Sequence, residues 1–258
     1  MAEFTDKTVV ITGGAGGIGR AMARAFAEAG AHLILLDRDA DQLEQVSGAL
    51  QADMSTDAAR VMTIPMDLTN PSSVVAAAER LHHADRTVHV LVNAAGILRQ
   101  GRVVDMPVED FDAIVAVNVR GVFLSCKYFV PLMKQGGAIV NLASVSAFVG
   151  SDGSTAYTLT KGAVSSFSFG LAQELAPRSI RVNALCPGWV DAGFTHHAMA
   201  STEQPEVLEQ AARNAHVLGR MATPEEVAQA TLFLASERQA SFVTGTNLFV
   251  DGGFMIKR

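Results

Sequence analysis

Tyr157 and Lys161 stand four positions apart in a stretch with helical periodicity. On a helix, this spacing places the phenol and the ammonium group on the same face. A free tyrosine titrates near ~10, so acid/base work at neutral pH requires its pKa to fall by about three units. A neighbouring lysine cation would supply part of that stabilisation. The pair is therefore a candidate for proton transfer, although the same spacing also fits a trivial pair on an exposed helix face.

A glycine-rich turn, TGGAGGIG at residues 12–19, is the second cluster with chemical meaning. Glycines let the backbone turn sharply and approach a pyrophosphate closely, and a helix N-terminus offers unpaired N–H groups with a favourable dipole. The turn follows an apolar run and opens a helical pattern, as a dinucleotide-binding turn requires. The sequence therefore predicts that this turn binds the pyrophosphate of a dinucleotide.

Asp37 closes the next apolar run and bears on which dinucleotide is bound. A carboxylate at the tip of the second strand accepts hydrogen bonds from the ribose hydroxyls of adenosine. A 2′-phosphate would face it as a like charge, which at ~4 Å costs about 4 kcal/mol at an effective dielectric of about 20. Arg38 could hold such a phosphate, but the turn carries no basic residue at positions 14–16. We therefore expect NAD, with NADP as the less favoured cofactor.

Regular elements must position these groups, and the chain alternates short apolar runs with longer amphipathic stretches. Strands are predicted at residues 7–12, 31–37, 61–66, 88–93, 138–143, 181–186 and 246–250, and helices at residues 18–29, 40–52, 71–84, 108–134, 156–175 and 224–236. Strands that are apolar throughout indicate a parallel sheet with helices on both faces. The sequence therefore predicts an α/β fold with a doubly wound, Rossmann-type sheet.

Residues 188–219 fit this alternation poorly, being richer in His, Met, Thr and Glu than their surroundings. A long segment of this kind in a compact domain is often a lid or a binding loop. We expect a substrate lid here, with a pair of surface helices that only cover the core as the alternative. Because the chain shows no repeat, low-complexity tract or Pro/Gly-rich linker, we expect residues 1–258 to form a single domain.

Composition and charge exclude several classes of protein. With 49% hydrophobic and 18% charged residues, the composition is that of a globular protein. A net charge of −6 provides no excess of positive charge for binding nucleic acid or an anionic membrane. Two cysteines, Cys126 and Cys186, are too few for a disulfide framework and suit a reduced, cytoplasmic setting. We expect no secretory signal, since no basic region precedes a long apolar one, and no bilayer span, since no uninterrupted apolar run reaches ~18 residues.

Taken together, the motifs resemble those of the short-chain dehydrogenase/reductase superfamily, in its soluble branch, over essentially the whole chain. They are the turn at residues 12–19, Asp67-Leu68, Asn93-Ala94-Ala95-Gly96, Asn118, Ser144, Tyr157, Lys161, Pro187-Gly188 and Asp251-Gly252-Gly253. The resemblance implies a doubly wound sheet of seven parallel strands and a nicotinamide-dependent oxidoreductase. It also implies a homo-oligomer, most simply a tetramer, which the apolar content of the helices at residues 108–134 and 156–175 supports.

The resemblance further implies a catalytic group of four residues. Ser144 is expected to hydrogen-bond the substrate oxygen, and Tyr157 to move the proton of the substrate hydroxyl. Lys161 is expected to bind the nicotinamide ribose and to favour phenolate, and Asn118 to hold a water that connects the lysine to solvent. Such a group interconverts an alcohol and a carbonyl compound, while the cofactor carries the hydride.

A cofactor-binding set along the strand ends follows from the same resemblance. It comprises Gly13, Gly17, Ile18, Gly19, Asp37, Asp67, Leu68, Asn93, Gly96, Tyr157, Lys161, Pro187, Gly188 and Val190. Asp67 has a structural alternative as the cap of the helix near Pro71, and Asn93 has one as a tie between neighbouring strands. We expect no metal site, because the adjacent histidines lack further ligands.

Ala192 is a departure from the family's pattern. Members commonly carry a threonine at this position, a few residues past the Pro-Gly pair, where it contacts the nicotinamide carboxamide. Three explanations stay open from the sequence: the backbone of Val190 suffices, Thr195 substitutes, or the nicotinamide is held less firmly.

The identity of the substrate is the least determined expectation. Candidate pocket residues are Leu98, Ser146, Phe148, Asp152, Trp189, Phe194, His196 and Met199. The small, polar stretch at residues 150–154 suits a polyol or sugar derivative, whereas the aromatic members suit an apolar substrate. A secondary-alcohol dehydrogenase therefore comes first and a 3-oxoacyl-thioester reductase second. A catalytically silent dinucleotide sensor or scaffold would have no need of Ser144, Asn118, Tyr157 and Lys161 together.

Overall fold

The computed structural model describes residues 3–53, 61–200 and 202–257, and these residues form one sheet of seven parallel strands. The strands are β1 Thr8–Thr12, β2 His32–Asp37, β3 Val61–Pro65, β4 Val88–Asn93, β5 Met133–Leu142, β6 Arg181–Pro187 and β7 Asn247–Val250. Their spatial order is β3-β2-β1-β4-β5-β6-β7. The predicted doubly wound, seven-stranded sheet is confirmed.

Helices cover both faces of the sheet because successive apolar residues of a strand point in opposite directions. The helices are α1 Gly17–Glu28, α2 Ala40–Asp53, α3 Pro71–His83, α4 Val108–Val115, α5 Val122–Phe129, α6 Thr155–Leu175, α7 Phe194–Ala200, α8 Pro205–Asn214 and α9 Pro224–Ala235. Val10 of β1 packs in one core with α3, α5 and α6, whereas its neighbours Val9 and Ile11 pack in the other with α1, α2 and α9.

The long helix predicted at residues 108–134 is wrong in two respects. A wide π-helical turn, Ala116–Gly121, separates α4 from α5, and the helical run ends in the short 3-10 turn Val130–Leu132. Met133 already belongs to β5, where it pairs with Val88 ahead of a bulge. The apolar pattern continues smoothly through this junction, so periodicity alone cannot detect the change from helix to strand.

The helical run Val108–Leu132 is long and apolar enough, by composition, to cross a membrane. Within this fold, however, 44% of its most apolar window is buried. Phe129 and Leu124 belong to the core beneath the sheet, which accounts for part of that hydropathy. The run is a core helix of the α/β layer, and some apolar side chains, Phe111 and Phe123 among them, stay on the outer surface.

The sheet order changes direction between β1 and β4, and a ligand crevice opens at such a point. Thr12 and Asn93, the last residues of the two strands, pair directly. The carbonyl and hydroxyl of Thr12 accept hydrogen bonds from the N–H groups of Ala94 (3.2 Å) and Ala95 (3.4 Å). The glycine-rich turn and the segment after β4 are therefore held against each other on the two sides of the crevice.

Arg181, at the opposite end of β6, is a buried cation with a structural function. Its guanidinium donates to the carbonyls of Leu234 (2.6 Å), Ala235 (3.2 Å) and Ser236 (3.2 Å). These carbonyls belong to the last turn of α9, where unpaired backbone acceptors favour a positive charge. Arg181 therefore fixes the end of α9 against the sheet.

Candidate active site

The glycine-rich turn requires glycine at two positions. Gly13 has φ +70°, and a Cβ there would lie 2.7 Å from the backbone of Ala95. A Cβ on Gly19 would lie 2.0 Å from the carbonyl oxygen of Gly13, so no side chain fits where the turn enters α1. The bare backbone and the exposed start of α1, with Ile18 half-buried, form a surface that an anionic group can approach.

Asp37 lies beside this turn, at the tip of β2. One carboxylate oxygen accepts a hydrogen bond from the N–H of Ala15 at 3.1 Å, and the other accepts from the N–H of Asp39 at 3.3 Å. A shallow cavity of about 420 Å³ opens next to it, lined by Arg38, Asp39, Ala40 and Asp41. The carboxylate is therefore placed at the rim of the crevice, as its sequence position predicts, with the exposed Arg38 beside it.

Ser144 and Tyr157 meet in the crevice, where the serine hydroxyl acts on the phenol. Ser144 follows β5 and caps a short 3-10 turn, in which its hydroxyl accepts the N–H of Ser146 at 3.1 Å. Burial raises the pKa of Tyr157 to about 12, and the contact with Ser144 opposes this only in part. At neutral pH the phenol is therefore protonated, opposite to the lowered pKa that the neighbouring lysine led us to expect.

Lys161 lies one helical turn beyond Tyr157 on α6 and is only 3% exposed. Its Nζ atom is 5.6 Å from the centre of the Tyr157 ring and donates to the carbonyl of Leu142 at 2.7 Å. Burial lowers the pKa of this ammonium group to about 8, because desolvation disfavours the charged form. One of its three N–H groups has a protein acceptor, which leaves donors available to a ligand in the crevice.

Asn118 is close to Lys161, but its side chain is bound elsewhere. Its amide oxygen accepts the N–H of Ile97 at 2.8 Å, and its nitrogen donates to the Ile97 carbonyl at 2.9 Å and to the Thr160 hydroxyl at 3.2 Å. The residue belongs to the π-helical turn and is buried. Any water that it holds for Lys161 must therefore use the remaining lone pair of the amide oxygen or the main chain.

Gly96 lies between these groups. A Cβ on Gly96 would stand 3.3 Å from the Asn118 Oδ1 atom, 3.6 Å from the Lys161 Nζ atom and 3.7 Å from the Cζ atom of Phe194. The glycine thus opens the space in front of the lysine, and the first residue of α7 reaches into that space.

The predicted nucleotide contacts of Asn93, Asp67 and Leu68 are constrained by their side-chain partners. Asn93 is buried and donates to Asn141 at 2.8 Å, so its side chain does tie β4 to β5. Leu68 is buried in the core, packed against Gly121. Asp67 is exposed and accepts from Thr69, while α3 is capped by Asn70, so the alternative of Asp67 as the cap is wrong.

The segment after β6 turns across the crevice. Pro187 ends β6, Val190 forms a parallel bridge with Ala222, and Ala192 packs against the start of α1. A Cβ on Gly17 would lie 3.0 Å from the Cβ of Ala192, a contact that leaves little room for a larger side chain. The departure at Ala192 therefore coincides with close packing on the glycine-rich turn.

The remaining pocket candidates divide into two groups. Phe194 reaches the crevice, as described above. Leu98, Trp189 and Met199 are half-buried and lie close in sequence to residues of the crevice. Asp152 is instead held by an exposed bidentate pair with Arg102, at 2.8 and 3.1 Å. Phe148 stacks edge-on against Phe249 at 5.2 Å, and His196 pairs with Asp191 at 2.9 Å, both at the surface.

His216 was missed by the sequence reasoning. It is 1% exposed; its Nδ1 atom lies 2.8 Å from the Ala212 carbonyl, and its Nε2 atom accepts the N–H of Trp189 at 3.2 Å. The carbonyl can only accept, so the ring is neutral with its proton on Nδ1. It joins the end of α8 to the segment after β6. A lone histidine carries no sequence signal for this role.

Within residues 3–53, 61–200 and 202–257, no group of three or more His, Cys, Asp or Glu side chains could hold a metal ion. Cys126 and Cys186 are both buried free thiols. Cys126 contacts Asn93 at 3.4 Å, and the charge of Lys161 acts on Cys186. The polar groups around Tyr157 thus include hydroxyls and one ammonium group, and the Asp37 carboxylate lies at the rim of the crevice.

Comparison with known proteins adds a family and several relatives. A family model described as enoyl-(acyl carrier protein) reductase matches residues 13–255. The chain is 36% identical over 256 residues to the 3-oxoacyl-(acyl-carrier-protein) reductase of Thermotoga maritima, covering 98% of this chain and all of that one. It is 35% identical over 256 residues to the cyclopentanol dehydrogenase of a Comamonas species, covering 98% of this chain and 99% of that protein.

A solved structure agrees with these relatives. The short-chain dehydrogenase/reductase from Brucella melitensis, titled a glucose/ribitol dehydrogenase, superposes with a TM-score of 0.90 at 32% sequence identity. The superposition covers 99% of both chains. The likeness therefore extends through the sheet, both helical layers and the segment after β6.

Proposed function

This chain belongs to the short-chain dehydrogenase/reductase family of oxidoreductases, and we propose that it interconverts a secondary alcohol and its carbonyl compound with NAD(H). The observation that carries the proposal is the placement of Ser144 beside Tyr157, with the buried ammonium group of Lys161 one helical turn away. A catalytically silent sensor would gain nothing from placing these three groups together.

The residues present fit a nicotinamide dinucleotide, the cofactor class of this family. The turn at Gly13 and Gly19 has no space for side chains, and the start of α1 offers N–H groups to a pyrophosphate. Lys161 keeps donors for a ribose, and Gly96 leaves room in front of it. A bound nicotinamide would supply the hydride acceptor for oxidation.

The chain's own residues account for the proton. Ser144 donates a hydrogen bond to the substrate oxygen and holds it beside Tyr157. The Tyr157 oxygen takes the hydroxyl proton during oxidation and returns it during reduction. Because burial raises the pKa of this phenol, phenolate requires the nearby cation of Lys161 and the changed surroundings of the occupied crevice.

NAD is the preferred cofactor in this proposal because Asp37 stands at the tip of β2 with its carboxylate bonded to the turn. A 2′-phosphate would be brought next to this negative charge, at a cost of about 4 kcal/mol for ~4 Å and an effective dielectric of about 20. Arg38, exposed next to Asp37, reduces that cost without removing it.

A 3-oxoacyl-thioester reductase is the second candidate. The relative from Thermotoga maritima and the description of the family model both concern acyl-carrier substrates. Asp37 favours NAD, whereas reductases of that kind usually take NADPH, and this places the alcohol dehydrogenase first.

We also propose a cytoplasmic homotetramer. Apolar side chains lie exposed on the outer surfaces of the helical layer, with Val108 68%, Phe123 50% and Phe169 42% exposed. Three such residues on α4, α5 and α6 offer an apolar surface to a second copy of the chain. The composition of the run Val108–Leu132, apolar beyond what its burial needs, is explained in the same way.

Turnover of alcohols tests the proposed function. The purified protein is incubated with NAD or NADP and a panel of secondary alcohols, cyclic alcohols and polyols, and the appearance of reduced cofactor is followed by absorbance. We expect oxidation of at least one alcohol, with NAD preferred. Activity confined to NADP, or reduction of 3-oxoacyl thioesters in the absence of any alcohol oxidation, would contradict the proposal.

The chain provides a matched control, since Tyr128 is its only other tyrosine. Tyr157→Phe removes the oxygen that transfers the proton and keeps the ring, so the rate on any substrate found should fall by about 10²–10⁴-fold. Tyr128→Phe, on α5, should retain the rate of the wild type. Equal rates in the two variants would refute the role of Tyr157.

A further inference from the structure

A closed ring of hydrogen bonds joins three segments at the tip of β2. Its members are Ala15 of the glycine-rich turn, Arg20 of α1, Asp37 of β2, Asp39 just before α2, and Gln42 of α2. The N–H of Ala15 donates to one carboxylate oxygen of Asp37 at 3.1 Å, and the N–H of Asp39 donates to the other at 3.3 Å. These two contacts form the first half of the ring and hold both oxygens of Asp37.

Arg20 and Gln42 close the ring on its other side. The Nε atom of Arg20 donates to the carbonyl oxygen of Ala15 at 2.7 Å, and its Nη2 atom donates to the Gln42 Oε1 atom at 3.1 Å. The Nε2 atom of Gln42 donates to the carboxylate of Asp39 at 2.7 Å, and the backbone N–H of Gln42 donates to the same carboxylate at 2.9 Å. Ala15 is therefore held both at its N–H and at its carbonyl group.

The ring fixes the orientation of the Asp37 carboxylate. A carboxylate offers about four lone-pair sites, and two of those on Asp37 are used by the N–H groups of Ala15 and Asp39. The remaining sites point in directions that these two contacts determine. Ala15 is 3% exposed and lies in the middle of the glycine-rich turn, so the same contacts fix the turn relative to β2.

The closed form of the ring compensates for the exposure of two of its members. Arg20 and Gln42 are exposed, so each of their contacts taken alone competes with water and contributes little. In a closed ring, each contact forms between groups that the other contacts already hold in place, and such networks are worth more than the sum of their pairs. Opening the ring at Gln42 should therefore loosen Ala15 and Asp37 as well.

We propose that Arg20 and Gln42 are positioning residues for the cofactor, which hold the glycine-rich turn and the Asp37 carboxylate in the arrangement that selects NAD. Both residues act through Ala15 and Asp37. The cavity of about 420 Å³ that Asp39 helps to line lies beside the ring and offers space to the adenosine half of a dinucleotide. This inference rests on the proposed function, because it requires a dinucleotide whose adenosine ribose lies at Asp37.

Gln42→Leu opens the ring without changing the net charge of the protein. We expect it to weaken NAD binding by about three- to tenfold, the effect of losing one hydrogen bond that holds a binding group in place. NADP binding should weaken less, because a carboxylate that is free to turn away repels a 2′-phosphate less strongly. The ratio of the NADP to the NAD dissociation constant should therefore fall.

The experiment is a calorimetric titration of NAD and, separately, of NADP into the full-length wild type, Gln42→Leu and Gln45→Leu. Gln45→Leu is the matched control, because Gln45 is also exposed on α2 and is not a member of the ring. We expect wild-type dissociation constants for Gln45→Leu and a lower ratio for Gln42→Leu alone. Thermal unfolding should show the same fold in all three proteins. An unchanged ratio in Gln42→Leu overturns the proposal.

Variants of Arg20 distinguish positioning from simple attraction of the phosphates by a positive charge. Arg20→Lys keeps the charge, but its single ammonium group does not reproduce the planar guanidinium that bridges Ala15 and Gln42. We expect Arg20→Lys to bind NAD as weakly as Gln42→Leu, and the double variant to lose little more, because the ring is already open. Wild-type affinity in Arg20→Lys, or additive losses in the double variant, would refute the positioning role.

Amide hydrogen exchange tests the ring in the absence of nucleotide. The Asp37 carboxylate protects the N–H of Ala15 from exchange as long as the ring holds the two groups together. This N–H should therefore exchange faster in Gln42→Leu than in the wild type or Gln45→Leu, as measured by NMR. Equal rates in the three proteins would contradict the ring.

These measurements separate the ring from the proposed function. Faster exchange at Ala15 and a lower ratio of dissociation constants in Gln42→Leu support the ring, even if no alcohol in the panel is oxidised. Oxidation of alcohols with NAD by a wild type whose ratio does not respond to Gln42→Leu supports the proposed function and overturns the ring. A wild type that binds neither dinucleotide contradicts both.

Discussion

Lys161 and Arg181 are two buried cations, 3% and 8% exposed, without a hydrogen-bonded carboxylate among the residues that the structure describes. Arg181 is surrounded by the carbonyls that end α9 and by the Val243 carbonyl at 3.4 Å. Lys161 has a single acceptor, the carbonyl of Leu142, and an open side toward the crevice. Desolvation lowers the pKa of both groups. Their difference lies in how fully the protein satisfies their donors.

This difference separates a structural cation from a functional one. Burial is costly for both, and Arg181 recovers the cost within the fold by stabilising the end of a helix. Lys161 recovers only part of it within the fold, and in the proposed mechanism a ligand in the crevice would complete its hydrogen bonds. An incompletely satisfied buried charge therefore marks the site more clearly than burial or a pKa shift alone.

Replacing each cation with methionine should affect a different property: turnover for Lys161→Met and stability for Arg181→Met. The largest expected effect is the one on turnover. Lys161→Met keeps the length of the side chain but removes the charge that favours phenolate and the donors for the ribose. We expect the rate of alcohol oxidation to fall by about 10²–10⁴-fold, with weaker NAD binding as well. Arg181→Met should keep the rate per folded molecule, measured by active-site titration. Normal kcat and KM values in Lys161→Met would contradict the proposed function of this lysine.

The second effect is a loss of stability, which we expect in Arg181→Met. Arg181→Met leaves the carbonyls of Leu234, Ala235 and Ser236 buried without donors, so we expect the free energy of unfolding to fall by about 2–4 kcal/mol. Arg80→Met, exposed on α3, is the control and should change it by less than about 0.5 kcal/mol. Denaturant titration measures both. An Arg181→Met protein as stable as the control would show that its carbonyl contacts contribute nothing.

The smallest effect is the pH dependence that Lys161 imposes on stability. Folding lowers the pKa of Lys161 from its ordinary 10.5 to about 8, so between these values the unfolded chain binds more protons than the folded one. Stability attributable to this residue therefore rises with pH, by about 2 kcal/mol between pH 7 and pH 10. The opposing contribution of Tyr157, whose pKa is raised from 10.0 to about 12, is small up to pH 10 and develops mainly between pH 10 and pH 12.

Urea titrations of the wild type, Lys161→Met and Lys127→Met at several pH values isolate this contribution. Lys127 is exposed on α5, so its variant should keep the rise seen in the wild type. The rise should be smaller in Lys161→Met. Parallel curves for all three proteins would show that Lys161 is solvated in solution and not buried.

The sheet and most helix positions were predictable from the sequence because strand apolarity and helix periodicity are local patterns. The start of β5 at Met133 was not, since an apolar helix end and an apolar strand start look alike in sequence. The π-helical turn around Asn118 was missed for a similar reason. A π-helical turn contains one more residue than an α-helical turn, and this addition changes neither the composition nor the approximate period of the apolar residues.

The predicted site divides in the same way. Residues assigned to the crevice by strand ends, such as Asp37 and Ser144, lie there because a parallel sheet brings its carboxyl ends to one edge. The orientation of a side chain is a tertiary property, so the sequence left open whether Asn93 faces the nucleotide or ties two strands, and it did not indicate the surface pair formed by Asp152. Nor did it indicate the position of Phe194, which depends on how the segment after β6 crosses toward Gly96.

The packing of His216 against Gly188 couples substitutions at these two positions in the evolution of this chain. A Cβ on Gly188 would lie 2.5 Å from the Nε2 atom of His216, and one on Gly252 would lie 3.5 Å from its Cβ. A methyl group at position 188 is therefore excluded while the imidazole is present, and a smaller side chain at position 216 removes the worst of its contacts, leaving the backbone of Asp251 at 3.3 Å. Replacement of His216 must therefore come before replacement of Gly188. Aligned relatives with a side chain at position 188 should lack histidine at position 216.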